Sequence, residues 1–256
     1  MEKRYLLYID ILGFSELVKT DYSKIEKLYS TIDKLNSHDH PNFKTLVFSD
    51  TILIFNCTAP TSQHDHEYLV MYLCEFAQNL LFKCCYLDIQ FRAILTYDIF
   101  QYEKLTNIEA YFGNALVKAY RKEKDIVGLG LFIDKSIATH NKIFETTEFD
   151  IDLDFVFLLP AIKNLKMYGC LEFPLDKYFP DPELEFFGLK LEFKILQNFK
   201  DNIELQKDSK VRSKYIQTYY LYKTAYKELI DILERNYFDI QFVSSSADWD
   251  NTDLIE

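Results

Sequence analysis

The stretch YIDILGFSEL, residues Tyr8–Leu17, joins an apolar segment to a helical pattern through a carboxylate, a glycine and a hydroxyl. The segment Tyr5–Ile9 is short and apolar, which predicts a buried β-strand. It ends at Asp10, and Gly13 and Ser15 stand directly before the helical pattern. Taken alone, Asp10 fits a residue that only caps the helix. A second acidic residue at the same end of the sheet would make this place a binding site instead.

Length, composition and charge limit the class of protein. With 256 residues the chain forms one large domain, or a domain with additions, and it is long enough for a sizeable core. Hydrophobic residues make up 48% of the chain and aromatic residues 16%, which excludes disorder for most of it. The net charge of −11 argues against sequence-independent binding of nucleic acid or of an anionic membrane. A small basic pocket for a nucleotide is compatible with that charge.

The sequence indicates no membrane span, no secretion signal and no disulfide framework. It has no run of ~18 apolar residues, and its first residues lack the hydrophobic region of a signal peptide. Its five cysteines show no CxxC spacing and leave one unpaired in any disulfide scheme. We therefore expect a cytoplasmic protein with reduced cysteines, and we expect neither membrane nor nucleic acid among its partners.

Hydrophobic periodicity predicts alternating strands and helices as far as residue 133. The predicted strands are Tyr5–Ile9, Phe43–Phe48, Thr51–Phe55, Leu87–Tyr97 and Val127–Ile133. The predicted helices are Ser15 to about Leu35, Tyr68–Leu81 and Asn114–Glu123; Thr20–Ser23 is a candidate break in the first, and Asn114 is the N-cap of the last. This order is typical of an α+β fold with a ferredoxin-like βαββαβ core, a mostly antiparallel sheet and helices on one face.

Beyond residue 133 the pattern predicts a C-terminal helical extension. The expected elements are helices Lys135–Phe144 and Ser213–Leu233 and strands Asp154–Leu159 and Leu189–Ile195. We assign residues 1–145 to a core, and residues 146–243 to an extension that packs on the core in the same domain and contains the long C-terminal helix. Residues 244–256 are polar and acidic, and we expect a disordered tail.

A second aspartate, Asp50, stands in the predicted turn between two β-rich segments. In a split βαβ sheet the first strand and this hairpin are neighbours, so their ends bring Asp10 and Asp50 together. Two nearby carboxylates suit Mg²⁺ or Mn²⁺, which need only one or two of them beside water and phosphate oxygens. Backbone N–H groups from Gly13 to Ser15, at a helix N-terminus, favour a phosphate chain. On its own, Asp50 also fits a residue chosen for turn geometry.

Four motifs together resemble the catalytic domain of class III nucleotidyl cyclases. Asp10–Ser15, DILGFS, is similar to the family's opening D-I-x-G-F-[ST]; Phe48–Thr51, FSDT, is similar to its metal-binding hairpin, where glycine usually precedes the aspartate. Phe91–Thr96, FRAILT, resembles the following strand, usually R-x-G-I-x-x-G. Phe112–Arg121 resembles W-G-x-x-V-N-x-A-x-R. The matches stand in the family's order, which implies a class III cyclase-like fold.

The resemblance implies a role for each matched position. Asp10, Asp50 and the carbonyl of Ile11 would bind two divalent cations per site, Mg²⁺ or Mn²⁺. The backbone of four residues would hold the triphosphate: Leu12, Gly13, Phe14 and Ser15. Arg121 would support the charge that develops in the transition state. In this family the aspartates and the arginine-bearing helix of one site come from different subunits, which implies a homodimer with active sites at the interface.

Three positions depart from the family's pattern and bear on the substrate. Val117 stands where an asparagine orients the ribose, and Leu46 and Ala110 stand where polar side chains bind a purine base. Lys44, on the same strand face as Leu46, or Glu109 would replace those groups if the register differs. Retained aspartates and arginine with lost purine-binding groups resemble the bacterial pyrimidine cyclases of the Pycsar anti-phage system.

The sequence therefore predicts a lyase, a metal-dependent cyclase that converts UTP or CTP into cyclic UMP or cyclic CMP and pyrophosphate as an antiviral second messenger. Two alternatives stay open. One is a cyclase-like module with little turnover, suggested by Val117, that binds nucleotide or regulates a partner. The other is a purine cyclase, for ATP or GTP, with an atypical base pocket.

Overall fold

The structure, a computed structural model, describes residues 2–35, 40–167 and 172–249. The chain forms two compact units, Met1–Leu158 and Leu159–Glu256. The first unit therefore extends past residue 145, where the sequence predicts the core to end. That the remainder packs on the core within one domain stays a prediction.

The first unit is built on a mostly antiparallel sheet. Its strands are β1 (Lys3–Ile11), β2 (Phe43–Phe48), β3 (Thr51–Asn56), β4 (Phe91–Ile99), β7 (Gly130–Asp134), β8 (Thr146–Glu148) and β9 (Leu153–Val156), and a separate hairpin is formed by β5 (Gln101–Lys104) and β6 (Glu109–Phe112). Within the described residues the sheet has seven strands in the order β2-β3-β1-β4-β7-β9-β8. β1 is antiparallel to both of its neighbours, and β4 is parallel to β7. This mixed arrangement confirms the predicted α+β fold class.

Helices cover both faces of this sheet, and not one face as predicted. They are α1 (Phe14–Thr20), α2 (Tyr22–Asp33), α3 (Gln63–Tyr86) and α4 (Asn114–Asp125). On one face of β1, Leu6 and Tyr8 belong to a core cluster that includes Ala115 and Ala119 of α4. The neighbouring residue Tyr5 points to the other face, where its hydroxyl is 2.7 Å from a ring nitrogen of a histidine in α3. The middle of β1, Tyr5–Ile9, is apolar because both of its faces are buried.

Helix α4 begins at a glycine for a steric reason. Gly113 has φ 142, and a Cβ there would lie 2.3 Å from the carbonyl oxygen of Ile99 at the end of β4. Only a residue without a Cβ allows this approach, which sets α4 against the sheet. Gly113 is the N-cap and Asn114 is the first helical residue, so the predicted Asn114 cap is wrong.

Other local predictions in the first unit also need correction. The predicted helix Lys135–Phe144 is replaced by a 3₁₀ turn, Ala138–His140. The helix predicted after Gly13 is two helices, and the break lies within Thr20–Ser23, where the sequence offers one: the chain turns at Asp21 and the Asp21 carboxylate caps α2. The connection predicted between β4 and α4 contains the β5–β6 hairpin.

The second unit is helical in its described residues. Its helices are α5 (Pro160–Met167), α6 (Pro182–Glu185), α7 (Leu189–Leu205), α8 (Ser209–Ala225), α9 (Lys227–Arg235) and α10 (Ile240–Val243). The predicted strand Leu189–Ile195 is wrong, because these residues begin α7. The predicted helix Ser213–Leu233 is interrupted at Tyr226.

The predicted acidic tail is structured at its start. Ser244 and Trp249 are buried, and the indole N–H of Trp249 donates to the Ser244 carbonyl at 2.9 Å. Residues 250–256 of the predicted tail lie outside the described residues. The second unit therefore extends at least to Trp249.

Glu192 is a fully buried carboxylate in the second unit. Its oxygens accept the backbone N–H groups of Ala161 and Ile162 at 2.9 and 2.7 Å, at the start of α5. Burial raises the pKa of Glu192 to about 8, although the two hydrogen bonds act to lower it. Loss of hydration therefore outweighs the capping bonds, and the folded protein favours the protonated acid.

We expect the second unit to lose stability as the pH rises from the ordinary pKa of Glu192 towards about 8. The unfolded chain releases this proton near pH 4.5, whereas the folded chain keeps it until about pH 8. The contribution of Glu192 to stability is therefore highest below the lower value, and it falls by up to about 1.4 kcal/mol per pH unit between the two. Urea unfolding followed by the fluorescence of Trp249, the single tryptophan, measures this loss.

Glu192→Gln is the control for this prediction, because the amide does not titrate. The difference in unfolding free energy between the wild type and the variant cancels the other titrating groups. We expect that difference to change with pH in favour of the variant. A constant difference across about pH 5 to 8 would contradict the assigned pKa.

Candidate active site

The end of β1 meets the turn between β2 and β3. Asp10 is opposite Thr51 in the β1–β3 register. The N–H of Ile11 donates to the carbonyl of Asp50 at 2.9 Å. The structure thus brings Asp10 and Asp50 to one end of adjacent strands, which is the arrangement that the sequence predicts.

The turn that carries Asp50 is held by two local features. Ser49 stands in the left-handed region at φ 56, a conformation that costs a non-glycine residue about 1 kcal/mol. The hydroxyl of Tyr29 on α2 donates to the Ser49 carbonyl at 3.0 Å. The serine therefore adopts a backbone shape that usually favours glycine, and a hydrogen bond from α2 helps to keep it there.

Tyr8 is a buried phenol that responds to both aspartates. Burial raises its pKa, and the negative charges of Asp10 and Asp50 raise it further, while a hydrogen bond with Thr51 acts to lower it. A charge affects a buried phenol strongly only at short range. The two carboxylates therefore act on the same small region beside the end of β1.

The donor atoms at this end of the sheet fit a hard divalent cation. Asp10, Asp50 and the Ile11 carbonyl offer only oxygen, which Mg²⁺ and Mn²⁺ prefer. The Asp50 carboxylate makes no hydrogen bond or ion pair with any residue that the structure describes. The described residues also contain no cluster of three or more His, Cys, Asp or Glu side chains suited to a metal. Magnesium needs no such cluster, because water and phosphate oxygens complete its coordination.

Arg92 contacts both Asp10 and Glu123, a link that the motifs do not indicate. Arg92 is opposite Asp10 in the β1–β4 register, and its Nη2 is 3.3 Å from Asp10 Oδ2. The same nitrogen contacts the carboxylate of Glu123 on α4. The available signal is an arginine inside the apolar strand FRAILT, since a buried guanidinium requires carboxylate or carbonyl partners.

The segment after β1 offers backbone donors. Gly13 is the N-cap of α1, in the left-handed region at φ 73. Within the described part of the chain, the N–H groups of Gly13, Phe14 and Ser15 make no hydrogen bond. The N–H of Leu12 donates to the Gln90 carbonyl at 2.8 Å, so Leu12 is not available as a donor. Three of the four expected backbone donors therefore remain.

Helix α4 carries four cations, and three of them have partners. The pairs are Lys118 with Asp134, Lys122 with Asp152, and Lys124 with the hydroxyl of Tyr120. Arg121 is exposed and makes no hydrogen bond or ion pair inside the described ranges. It lines a cavity of about 330 Å³ together with Val117, and five polar or charged residues complete the lining: Asp98, Asn114, Lys118, Lys122 and Asp125.

Arg121 and Glu123 point in different directions. Residues two positions apart on a helix do not share a face. Glu123 is buried against Arg92, whereas Arg121 is exposed. Arg121 therefore points away from the Arg92–Asp10 pair of its own chain.

A polar and aromatic cluster lies where the resemblance places the base. The Lys44 ammonium is 3.7 Å from the Glu109 carboxylate and 3.5 Å from the centroid of the Tyr102 ring. The Tyr111 hydroxyl donates to Glu109 at 2.8 Å, and the Tyr102 and Tyr111 rings stack with centroids 5.0 Å apart. The motifs do not indicate these two tyrosines, because they belong to the unpredicted β5–β6 hairpin.

Leu46 and Ala110, the positions that align with the purine-binding groups, contribute no polar side-chain atom. Leu46 packs against the core cluster of β1 and α4. Ala110 is half-buried and is opposite Glu103 in the β5–β6 hairpin. The polar groups at this place are therefore Lys44 and Glu109.

Comparisons with known proteins concern the fold. No family model matches the chain, and no curated protein matches it. Among solved structures, the adenylyl cyclase CyaB from P. aeruginosa is 11% identical over 60% of this chain and 93% of that chain, with a TM-score of 0.46. The monomeric guanylyl cyclase domain of the RhoGC fusion protein from the aquatic fungus Blastocladiella emersonii is 15% identical over 61% of this chain and 95% of that chain, also with a TM-score of 0.46.

A third similar structure is a class III adenylyl cyclase-like ATP-binding protein from Pseudomonas aeruginosa. It is 12% identical over 55% of this chain and 35% of that chain, with a TM-score of 0.42. At these identities and TM-scores, the likeness assigns neither a substrate nor an activity to this chain. Separately, no helix in the described ranges is both long and apolar enough to cross a membrane.

Proposed function

We propose that this chain is a metal-dependent nucleotidyl cyclase, which converts a nucleoside triphosphate into the 3′,5′-cyclic monophosphate and pyrophosphate. The observation that carries this proposal is the hydrogen bond from the Ile11 N–H to the Asp50 carbonyl, which holds Asp10 and Asp50 at one end of adjacent strands. Arg121, which is exposed and has no partner among the described residues, adds a cation for phosphate oxygens. Oxygen ligands and a free guanidinium are what phosphoryl transfer requires of a protein.

Each group has one task in this proposal. Asp10, Asp50 and the Ile11 carbonyl hold two divalent cations, Mg²⁺ or Mn²⁺. When bound, these cations supply activation of the ribose 3′-hydroxyl and neutralisation of the pyrophosphate charge. The free N–H groups from Gly13 to Ser15 bind the triphosphate through charge-assisted hydrogen bonds. Arg121 stabilises the negative charge that develops as the 3′-hydroxyl attacks the α-phosphate.

We infer that the active form is a head-to-tail homodimer with its sites at the interface. Arg121 points away from the Arg92–Asp10 pair of its own chain, so a second copy has to supply the arginine. Exposed apolar side chains support a subunit contact: Phe48 at the hairpin tip is 77% exposed, and Val117 and Tyr120 on α4 are 48% and 49% exposed. A two-fold axis would then give two equivalent sites.

For the base we propose a pyrimidine, with UTP or CTP as substrate and a cyclic pyrimidine nucleotide that serves as an antiviral signal. Leu46 and Ala110 support this choice, because they leave the purine-binding positions apolar. The pair of Lys44 and Glu109 is the observation that supports the purine alternative, since it offers a donor and an acceptor to a base edge.

The test is a cyclisation assay with each of the four nucleoside triphosphates and Mn²⁺, in which cyclic product and pyrophosphate are both measured. We expect cyclic UMP or cyclic CMP. Product from ATP or GTP alone would favour the purine cyclase. Binding of nucleotide without any product would favour the regulatory module, for which the exposed Val117 at the ribose position is the supporting observation.

Gly13→Ala is expected to weaken nucleotide binding about tenfold or more, because a methyl group would stand beside the triphosphate donors. An added Cβ at Gly13, at φ 73, would have no heavy atom within 4 Å, so the protein leaves this space open. Gly188, at φ 83 and equally open, precedes α7 in the second unit and is the matched control. Each alanine should cost about 1 kcal/mol of stability. Titration with a fluorescent nucleotide should show a raised Kd for Gly13→Ala alone; equal Kd values for the two variants would contradict the triphosphate role.

A further inference from the structure

A buried guanidinium links the end of β1 to helix α4. Arg92 faces Asp10 across the β1–β4 pair, and its Nη2 is 3.3 Å from Asp10 Oδ2. The same Nη2 makes a closer contact with Glu123, and Nη1 donates to the carbonyl of Ile126 at 2.7 Å. Arg92 is therefore held mainly from the side of α4, and Asp10 is the more distant of its two carboxylates.

The two carboxylates share one positive charge in a place with little water. The side chains of Arg92, Glu123 and Asp10 are 8%, 11% and 22% exposed. Charges in such surroundings are weakly screened. Because Glu123 shares the single charge of Arg92, the guanidinium compensates the charge of Asp10 only in part. If Glu123 lost its charge, Asp10 would be the carboxylate left in this group to pair with Arg92. The guanidinium would then compete with the cation for the Asp10 carboxylate.

We propose that Glu123 is a positioning residue for divalent-cation binding, which draws Arg92 towards α4 and so weakens the ion pair between Arg92 and Asp10. The proposal rests on the proposed function, because it takes Asp10 as a ligand of the cation. A purely structural role would differ in its consequences. An ion pair that only fastens α4 to the sheet would change stability when it is removed, and it would leave cation affinity unchanged.

Mn²⁺ binding by the nucleotide-free full chain, followed by the electron paramagnetic resonance of free Mn²⁺, separates the two roles. Glu123→Gln is expected to raise the Kd for Mn²⁺ about 10- to 100-fold, the range found for residues that orient metal ligands. Glu123→Asp keeps the charge and should recover part of the affinity. The thermal unfolding midpoint is measured for every variant, and the aspartate variant still tests the proposal if the glutamine variant does not fold.

Asp134→Asn is the matched control. Asp134 is also a buried carboxylate that ties α4 to the sheet, through Lys118. It lies at the other end of β7 from Gly130, the residue paired with Arg92. Its replacement should therefore change stability and leave the Kd for Mn²⁺ as it is in the wild type.

A double-mutant cycle tests whether the effect passes through Arg92. In an Arg92→Met background no guanidinium is left to pair with Asp10. Adding Glu123→Gln to that background should therefore change the Kd for Mn²⁺ by less than about twofold. If the Glu123→Gln single variant has the same Kd for Mn²⁺ as the wild type, the positioning role is overturned, but the proposed metal site is not. If the wild type binds no more Mn²⁺ than Asp10→Asn does, the metal site itself is overturned, and the role of Glu123 with it.

Discussion

Asp10→Asn is expected to abolish cyclic nucleotide formation, with a loss of about 10³-fold or more in kcat/KM. The amide keeps the shape of the side chain but loses the charge that binds a divalent cation. Because each tenfold in rate corresponds to about 1.4 kcal/mol, this loss equals the several kcal/mol that metal ions contribute to such reactions. Chromatography of the product, with the preferred nucleotide and saturating Mn²⁺, measures it.

The fold should survive this substitution. Arg92 retains the Glu123 carboxylate and the Ile126 carbonyl, so no buried charge is left without a partner. Asp154→Asn is the matched control, since Asp154 is a half-buried carboxylate on β9 of the same sheet and lies outside the proposed site. We expect that control to keep full activity. Activity of Asp10→Asn above about a tenth of the wild-type value would exclude Asp10 as an essential ligand.

The parts of the site that could be predicted from sequence are those set by local patterns. An apolar strand that ends in a carboxylate, a two-residue turn and a helix that begins after a glycine each leave a short signal. These signals place Asp10, Asp50 and Arg121 correctly on β1, the β2–β3 turn and α4. Adjacent strands then bring the two aspartates together without further information.

Contacts across the fold could not be predicted in the same way. The pairing of Arg92 with Asp10 depends on strand register, and its contact with Glu123 depends on how deeply α4 packs on the sheet. A shift of one residue in register reverses the face of every side chain. The pair of Lys44 and Glu109 likewise requires the β5–β6 hairpin, which the sequence does not indicate.

The second unit shows a different limit. The segment LKLEFKI at the start of α7 alternates between apolar and polar residues, which is typical of a half-buried strand. The structure makes it a helix in which the side chain of Glu192 is buried among apolar neighbours. The alternating pattern wrongly predicts a strand here, because that prediction takes every polar residue of the segment as exposed, whereas Glu192 is buried.

Arg121→Ala is expected to lower kcat by about 10²- to 10³-fold and to leave KM nearly unchanged. A guanidinium that meets charge only as it develops in the transition state contributes to kcat, not to substrate binding. Arg121→Lys should remain impaired, because an ammonium lacks the planar fork that matches phosphate oxygens. Lys124→Ala removes the same charge from the same helix and should keep activity. Steady-state kinetics with the preferred nucleotide distinguish these outcomes.

Mixed dimers test whether Arg121 acts on a partner's site. In a dimer of one Asp10→Asn chain and one Arg121→Ala chain, one site would carry both lesions and the other would carry neither. Random pairing of the two inactive proteins should therefore restore about a quarter of the wild-type activity. If Arg121 instead acts within its own chain, every site in the mixture holds one lesion and no activity returns. Recovery of activity on mixing would thus locate the site between two copies of the chain, because neither inactive protein can supply a complete set of groups alone.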